Sequence, residues 1–255
     1  MESNKKNPKS KTVLLFPYTH QLGTTHSLVA VADVLKQRGY DVLFACAKGR
    51  YNDYIKSAGH EIVPIMDVDS DLYKTHLNRS SLGFHTLESI ECFVEAETKL
   101  IEKYKPVFVL DMIRLTLKLS AHLTNTPRAT LIYTILTDYY NGERSIPESH
   151  WLHAFIRNPV SSGLAQKLTP YAVEYFFQKW TKPYNKFLKD KSTLRIKSMR
   201  QLYEGDLTFL IDSSKFAPHT PLPPNVTVTG PVLHTNDQYP QEWLQTLDPS
   251  KKIIF

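Results

Sequence analysis

Short apolar runs and helical stripes alternate along the chain. Thr12-Val13-Leu14-Leu15-Phe16 is apolar almost throughout and stops at Pro17, which predicts a buried strand. Leu28, Val31, Ala32 and Leu35 then recur at helical spacing, with Thr24 or Thr25 placed to cap that helix and Gly39 to close it. A second strand is predicted at 41–46. A short helix follows at 50–58, stopped by Gly59, and a third strand at 61–65. A β-α-β-α-β series of this kind calls for a parallel sheet with right-handed crossovers.

The rhythm continues with a helix over 86–104, whose Leu87, Ile90, Val94 and Ile101 share one stripe. A strand at 107–110, a helix at 113–123 and a strand at 129–133 come next. From about 137 to 204 the pattern breaks into an aromatic-rich, partly helical stretch that includes Trp151, Phe155, Tyr171, Tyr175, Phe176, Phe177, Trp180, Tyr184 and Phe187. Strands resume at 207–211 and 226–228, separated by the proline-rich bend 218–224. The predicted fold class is α/β, a Rossmann-like parallel sheet flanked by helices.

Composition narrows the field. The chain has 255 residues, 42% of them hydrophobic, enough for a substantial core. No apolar run reaches the length of a membrane span, and no signal-peptide core follows the basic start. Two cysteines, Cys46 and Cys92, are too few for a disulfide framework and fit a reducing, cytoplasmic setting. The net charge of +6 is scattered, apart from the N-terminal tail and the segment 179–200. A solvated helix face is the plain reading of that segment, with contact to anionic lipid heads or phosphates as the alternative; no nucleic-acid partner is expected.

Familiar signatures are missing. No G-x-G-x-x-G follows the first strand, and the chain holds no P-loop, G-x-S-x-G, H-E-x-x-H or paired C-x-x-C. Asp67, Asp69 and Asp71 could hold a divalent cation through oxygen ligands, but a solvated turn is the preferred reading and no metal is expected. Chemistry on such a sheet belongs at the carboxyl ends of its strands. There the chain places Tyr18 to His26, then Asp111, then Thr134 to Tyr139. His20 or His26 could pair with Asp111: the carboxylate would fix the imidazole tautomer, and the other ring nitrogen would take a proton from a substrate hydroxyl. The alternative role for Asp111 is to cap the following helix.

Four segments together resemble the N-terminal domain of the UDP-glycosyltransferase family, which has the two-domain glycosyltransferase-B fold. Residues 13–46, "VLLFPYTHQLGTTHSLVAVADVLKQRGYDVLFAC", are similar to its first strand, glycine loop, helix and second strand. Residues 104–127, "YKPVFVLDMIRLTLKLSAHLTNTP", resemble its "PD-x-V-x-D" unit. Residues 203–233 resemble the segment ending in "LPPN-V-x-x-x-GP", and 240–255 the linker helix and first strand of the C-terminal domain.

The resemblance implies transfer of a sugar from a nucleotide-sugar donor, a UDP-sugar, to an acceptor hydroxyl, with inversion and without metal or cofactor. It divides the chain into a basic tail at 1–11, an acceptor-binding domain at 12–235 and a linker with the start of a truncated donor domain at 236–255. The apolar end 251–255 reads as a strand opening, so the chain is expected to be one half of a larger protein, inactive alone and partnered by a C-terminal donor-binding domain. Gly23, Thr24, Thr137, Asp138 and Tyr139 become substrate-binding candidates, and the aromatic stretch suggests an apolar or aromatic acceptor. The family's base is a histidine directly after the loop glycine, and Thr24 stands there. Either His20 or His26 supplies the imidazole, with Asp111 as dyad partner, or the base is lost. The alternatives are a non-catalytic subunit that binds acceptor or anchors a separate donor half, and a sugar-nucleotide epimerase of the same fold. Peripheral membrane contact is a further partner expectation.

Overall fold

In the first strand, apolar side chains divide between two cores. The computed structural model describes residues 11–78, 82–142 and 162–234. Within β1 (Thr12–Phe16), Val13 and Leu15 pack with one set of helices, and Leu14 and Phe16 with another. Burial on both faces is why this strand reads as a continuous apolar run. Around it lie β2 (Asp41–Cys46), β3 (Glu61–Pro64), β4 (Phe108–Asp111), β5 (Arg128–Ile132), β6 (Leu207–Leu210) and β7 (Val226–Val228). They form one seven-stranded sheet in the order β3-β2-β1-β4-β5-β6-β7, with every neighbouring pair parallel.

The order sets the position of the site. The chain winds outward from β1 to β3, then returns to β4 beside β1 and winds the other way. Phe16 pairs with Asp111 at the end of that central ladder. A doubly wound sheet opens its ligand crevice at such a reversal, outside the carboxyl ends of the strands. The loops after β1 and β4 flank it.

Helix α1 (Leu22–Gln37) and α2 (Asn52–Ser57) cover one face, with Leu28, Val29, Ala32 and Ile55 against Val13, Leu15, Phe44 and Leu110. On the other face lie α3 (Ser70–Asn78), α4 (Leu87–Tyr104), α5 (Leu117–Leu123), α6 (Ser162–Lys179), α7 (Lys182–Leu188) and α8 (Arg200–Tyr203), or the aromatic clusters they build. Ile90, Val94 and Leu119 meet Tyr184, Phe187 and Leu188 there. Thr86 caps α4 by accepting the Ser89 amide at 3.1 Å, and Gly39 and Gly59 end α1 and α2 at φ +80° and +77°. The expected strands are present within a residue at each end.

Two local expectations are corrected. The first helix is not capped by a threonine: it begins at Leu22, and the hydroxyls of Thr24 and Thr25 donate back to the Gln21 carbonyl at 2.9 and 3.1 Å. The helix expected over 113–123 starts at Leu117. Ile113 takes φ +66°, and the Arg114 amide donates to Asp111 Oδ2 at 3.0 Å, so the chain turns inward before the helix begins. The expectations for 1–10, for Trp151 and Phe155, and for the linker and strand at 235–255 lie outside the described residues.

Asp111 and Arg128 tie β4 to β5. Arg128 donates Nε to Oδ1 at 2.8 Å and Nη2 to Oδ2 at 3.0 Å, and both side chains are almost wholly buried. Replacing one member leaves the other charged in the sheet, so Arg128→Met should cost about 3–5 kcal/mol. The double change Asp111→Leu with Arg128→Met should cost less than that single change. Urea denaturation of both variants checks the ordering.

Candidate functional site at the sheet's reversal point

The floor of the crevice is built on one arginine. Arg114, in the loop after β4, donates Nε to Glu97 Oε1 at 2.6 Å, Nη1 to Asp67 Oδ2 at 2.6 Å and Nη2 to the Met66 carbonyl at 2.9 Å. Glu97 also accepts from the hydroxyls of Thr116, at 2.6 Å, and Ser120. Burial works against the Arg114 charge, but Asp67 and Glu97 outweigh it, and its pKa stands above the ordinary value. Burial pushes the Glu97 carboxyl up, and Arg114, Ser120 and Thr116 oppose that rise. Phe16 and Phe93 flank the guanidinium, with ring centroids 6.0 and 5.9 Å away. One side chain thus joins α4, the loop after β3 and the loop after β4.

His20 sits above this floor. Its ring stacks on Tyr73 with centroids 4.9 Å apart and meets the edge of Tyr18 at 5.1 Å. Gln21 donates to the Tyr73 hydroxyl, and Thr24 Oγ1 donates to the Tyr18 carbonyl at 2.7 Å, holding the loop's shape. Gly49 lets the loop after β2 close on it; a Cβ there would overlap the Thr19 hydroxyl. Burial lowers the His20 pKa from 6.5, while Asp67, a bond to the Val68 backbone and Asp69 pull it back up. The imidazole is therefore neutral near pH 7, the form that accepts a proton. Burial, with Asp67 next, raises the Tyr18 phenol, so it stays protonated.

The expected dyad is not formed. Asp111 lies at the end of β4 with its side chain turned along the sheet, where Arg128 and the Arg114 amide occupy both oxygens. It bonds to neither His20 nor His26. Nor does it cap α5, whose N-cap residue is Thr116. The carboxylate that acts most strongly on His20 is Asp67.

His26 is committed elsewhere. Its Nε2 accepts the His234 amide at 2.7 Å, so Nδ1 carries the proton and faces the Tyr54 hydroxyl at 3.1 Å. Tyr54 in turn reaches His234 Nδ1 at 2.6 Å, and His234 Nε2 reaches Asp33 Oδ2 at 3.2 Å. Asp33 Oδ1 also binds His60 Nε2 at 2.9 Å. This relay fastens the segment after β7 onto α1 and α2.

The remaining candidates line neighbouring strand ends. A Cβ on Gly23 would stand 3.3 Å from the Tyr133 hydroxyl, so the start of α1 approaches the end of β5 closely. Thr137 is buried and donates to the Thr134 carbonyl at 2.8 Å, and its hydroxyl accepts the Tyr139 amide at 3.3 Å. Asp138 pairs with Arg200 Nη1 at 3.0 Å. The three acids after β3 do not converge: Asp67 faces Arg114, Asp69 accepts the Asp71 and Leu72 amides, and Asp71 faces Lys74. Among the described residues no cluster could hold a metal ion.

Comparison with known proteins shows what the chain is similar to. No family model matches the chain. It is 23% identical over 227 residues to a PGL/p-HBAD biosynthesis rhamnosyltransferase of Mycobacterium bovis, covering 89% of this chain and 49% of that protein. It is 26% identical over 219 residues to a PGL/p-HBAD biosynthesis glycosyltransferase of Mycobacterium tuberculosis, covering 85% and 49%. A Mycobacterium bovis relative at 26% identity, covering 85% of this chain and 58% of itself, is named an inactive glycosyltransferase of that biosynthesis. Its relatives are glycosyltransferases. The solved spinosyn forosaminyltransferase SpnP matches with a TM-score of 0.55 at 17% identity over 92% of this chain and 54% of its own, which shows the fold: an α/β Rossmann-like half of the glycosyltransferase-B type. The chain spans about half the length of the curated relatives it matches.

This glycosyltransferase-B lobe uses residues that sequence reading passed over. Arg114 carries no motif. Glu97 did leave a signal, an acid on the Ile90, Val94, Ile101 stripe of α4 where an apolar residue belongs. His85, bonded through Nδ1 to the Tyr184 hydroxyl at 2.9 Å, is half-buried, and desolvation lowers its pKa to about 3. The unfolded chain takes up a proton there near 6.5 and the folded chain does not, so stability is lost as pH falls below 6.5. From pH 6.5 to 5 the His85 contribution is about 2 kcal/mol, and His85→Gln should flatten that slope in denaturant titrations.

Proposed function

We propose that this chain is the acceptor-binding half of an inverting glycosyltransferase. The reading rests on one observation: a neutral imidazole, His20, held between Tyr18 and Tyr73 where a doubly wound sheet of glycosyltransferase-B type reverses direction. The acceptor hydroxyl gives its proton to His20 as its oxygen attacks the sugar's anomeric carbon. The bond from that carbon to the nucleoside diphosphate breaks on the opposite side, and configuration inverts. Asp67 stands in the electrostatic place expected of Asp111 and stabilises the imidazolium that forms. Arg114 positions Asp67.

The donor, a UDP-sugar in this reading, is brought by a C-terminal domain, and no cofactor or metal is required. The rings of Tyr18, Tyr73, Phe84 and Phe93 pack on one another as a buried support for the loop that carries His20, and the acceptor is apolar or aromatic in this reading. Gly23, Asp138 and Tyr139 remain candidates for contact with it, while Thr24 and Thr137 are buried with their hydroxyls bonded to backbone carbonyls and shape the loops behind it. The free thiols Cys46 and Cys92 suit a cytoplasmic protein, and among the described residues no helix is long and apolar enough to cross a membrane.

A second reading, a non-catalytic acceptor-binding subunit, is favoured by the bonding of Asp111 to Arg128 and by threonine at position 24. Kinetics in the full-length protein separate the two. His20→Asn should lower kcat/KM about 100- to 10,000-fold with the fold retained. The wild-type rate should fall on the acid side, at a lower pH than an ordinary imidazole would give, as His20 gains its proton. Wild-type turnover by His20→Asn would hand the case to the non-catalytic reading. The 255-residue chain alone should transfer no sugar, because donor and base must meet across a cleft.

A further inference from the structure

Helices α6 and α7 carry an outward stripe that the proposed chemistry does not use. Leu168, Tyr171, Tyr175, Lys179, Lys182, Lys186 and Lys189 follow one another in steps of three and four, the spacing of a single helical face. Helical bonding bridges the turn between α6 and α7, with the Trp180 amide on the Phe176 carbonyl at 3.0 Å and the Asn185 amide on the Thr181 carbonyl at 2.9 Å. All seven stripe residues are exposed. Leu168, Tyr171 and Tyr175 stand at 53%, 76% and 60% of full exposure, far above what an apolar face covered by a partner among the described residues would keep. The opposite side holds the protein together: Phe177 and Trp180 pack on the core that buries Tyr184, Phe187 and Leu188.

The charge is as lopsided as the exposure. From 167 to 200 the chain has nine lysines and arginines against two acids, more excess positive charge than the whole chain carries. One of those acids, Glu174, is already paired with Arg200. The stripe is thus apolar and aromatic at one end and a row of lysines at the other.

We infer that this face docks the protein on an anionic membrane surface. Lysines along one side of a helix engage anionic headgroups while tyrosine rings sit at the boundary between headgroup and acyl chain, with the phenol in the wet layer. Leu168 enters the acyl edge. A nucleic-acid strand would engage the lysines and leave Leu168 in water, so the leucine in line with them favours lipid. The contact is peripheral, and it stands whether or not the glycosyltransferase reading does.

Co-sedimentation of the full chain with vesicles tests this. Vesicles of phosphatidylcholine mixed three to one with phosphatidylglycerol should bind it, and pure phosphatidylcholine should bind it weakly. Each surface lysine contributes about fivefold, so changing Lys179, Lys182, Lys186 and Lys189 together to Glu should reduce binding by at least about 100-fold. The control changes Lys36, Lys56, Lys74 and Lys99 to Glu, an equal change in net charge on other surfaces, and should keep most of the binding. Tyr171→Ser with Tyr175→Ser should weaken binding and leave its salt dependence. Circular dichroism confirms that each variant is folded. Equal loss in the control would show bulk charge alone and overturn the proposal. So would equal binding to both vesicle types, or capture of single-stranded DNA with indifference to lipid.

Discussion

The buried charge of Arg114 is the constraint on which the crevice depends. A guanidinium taken out of water is tolerated only where its donors are met, and here two carboxylates and a carbonyl meet them from two other parts of the chain, α4 and the loop after β3. The geometry is exacting because the two carboxylate side chains are themselves almost wholly buried. Glu97 sits on the core side of α4, Asp67 at the start of a loop, and Met66 offers only its backbone. Moving any one of the three segments would strand a charge, so the segments move together or not at all. The loop that carries His20 rests on Tyr18 and Tyr73, whose packing partners Val68, Phe84 and Phe93 stand on those same segments. The position of the imidazole is set by a salt bridge it does not join.

That dependence explains why Asp111 is absent from the site. The residue ends β4 while still paired in the sheet, and its side chain follows the pleat toward β5. Arg128 then neutralises it. A strand end is where the dyad carboxylate is expected, but direction is decided by the ladder. Asp67 has no ladder partner. It belongs to the loop after β3, and a loop residue can turn toward the crevice.

The sheet was legible in the sequence because both faces are buried and turn residues punctuate each strand. Thr12 to Phe16, Asp41 to Cys46 and Val226 to Val228 coincide with the expected bounds. The start of α5 was not legible, since Ile113 takes a left-handed conformation that a β-branched residue rarely adopts, and only the inward turn of Arg114 requires it. The site was half legible. The strand-end rule pointed to the loop after β1 and so to His20. It could not show that the carboxylate acting most strongly on His20, Asp67, comes from the loop after β3 and is brought near only by the fold.

His20 and His26 look equivalent in the sequence, and one structural fact separates them. Helix α1 begins between them, at Leu22. His20 precedes the helix and keeps the freedom of a loop, which lets it stack on Tyr73 from α3. His26 is inside the helix, where its direction is fixed by the turn, and that direction faces Tyr54 of α2 and the backbone of His234. Once Nε2 accepts an amide proton, His26 cannot also be a base without releasing that amide. The histidine that fastens the chain's return and the histidine proposed as base are thus separated by the point at which the helix starts. Thr24 helps to hold that arrangement, its hydroxyl bonding to the carbonyls of Tyr18 and Gln21. A histidine at position 24 would have to give up those bonds, so in the proposed reading the base is the residue ahead of the helix.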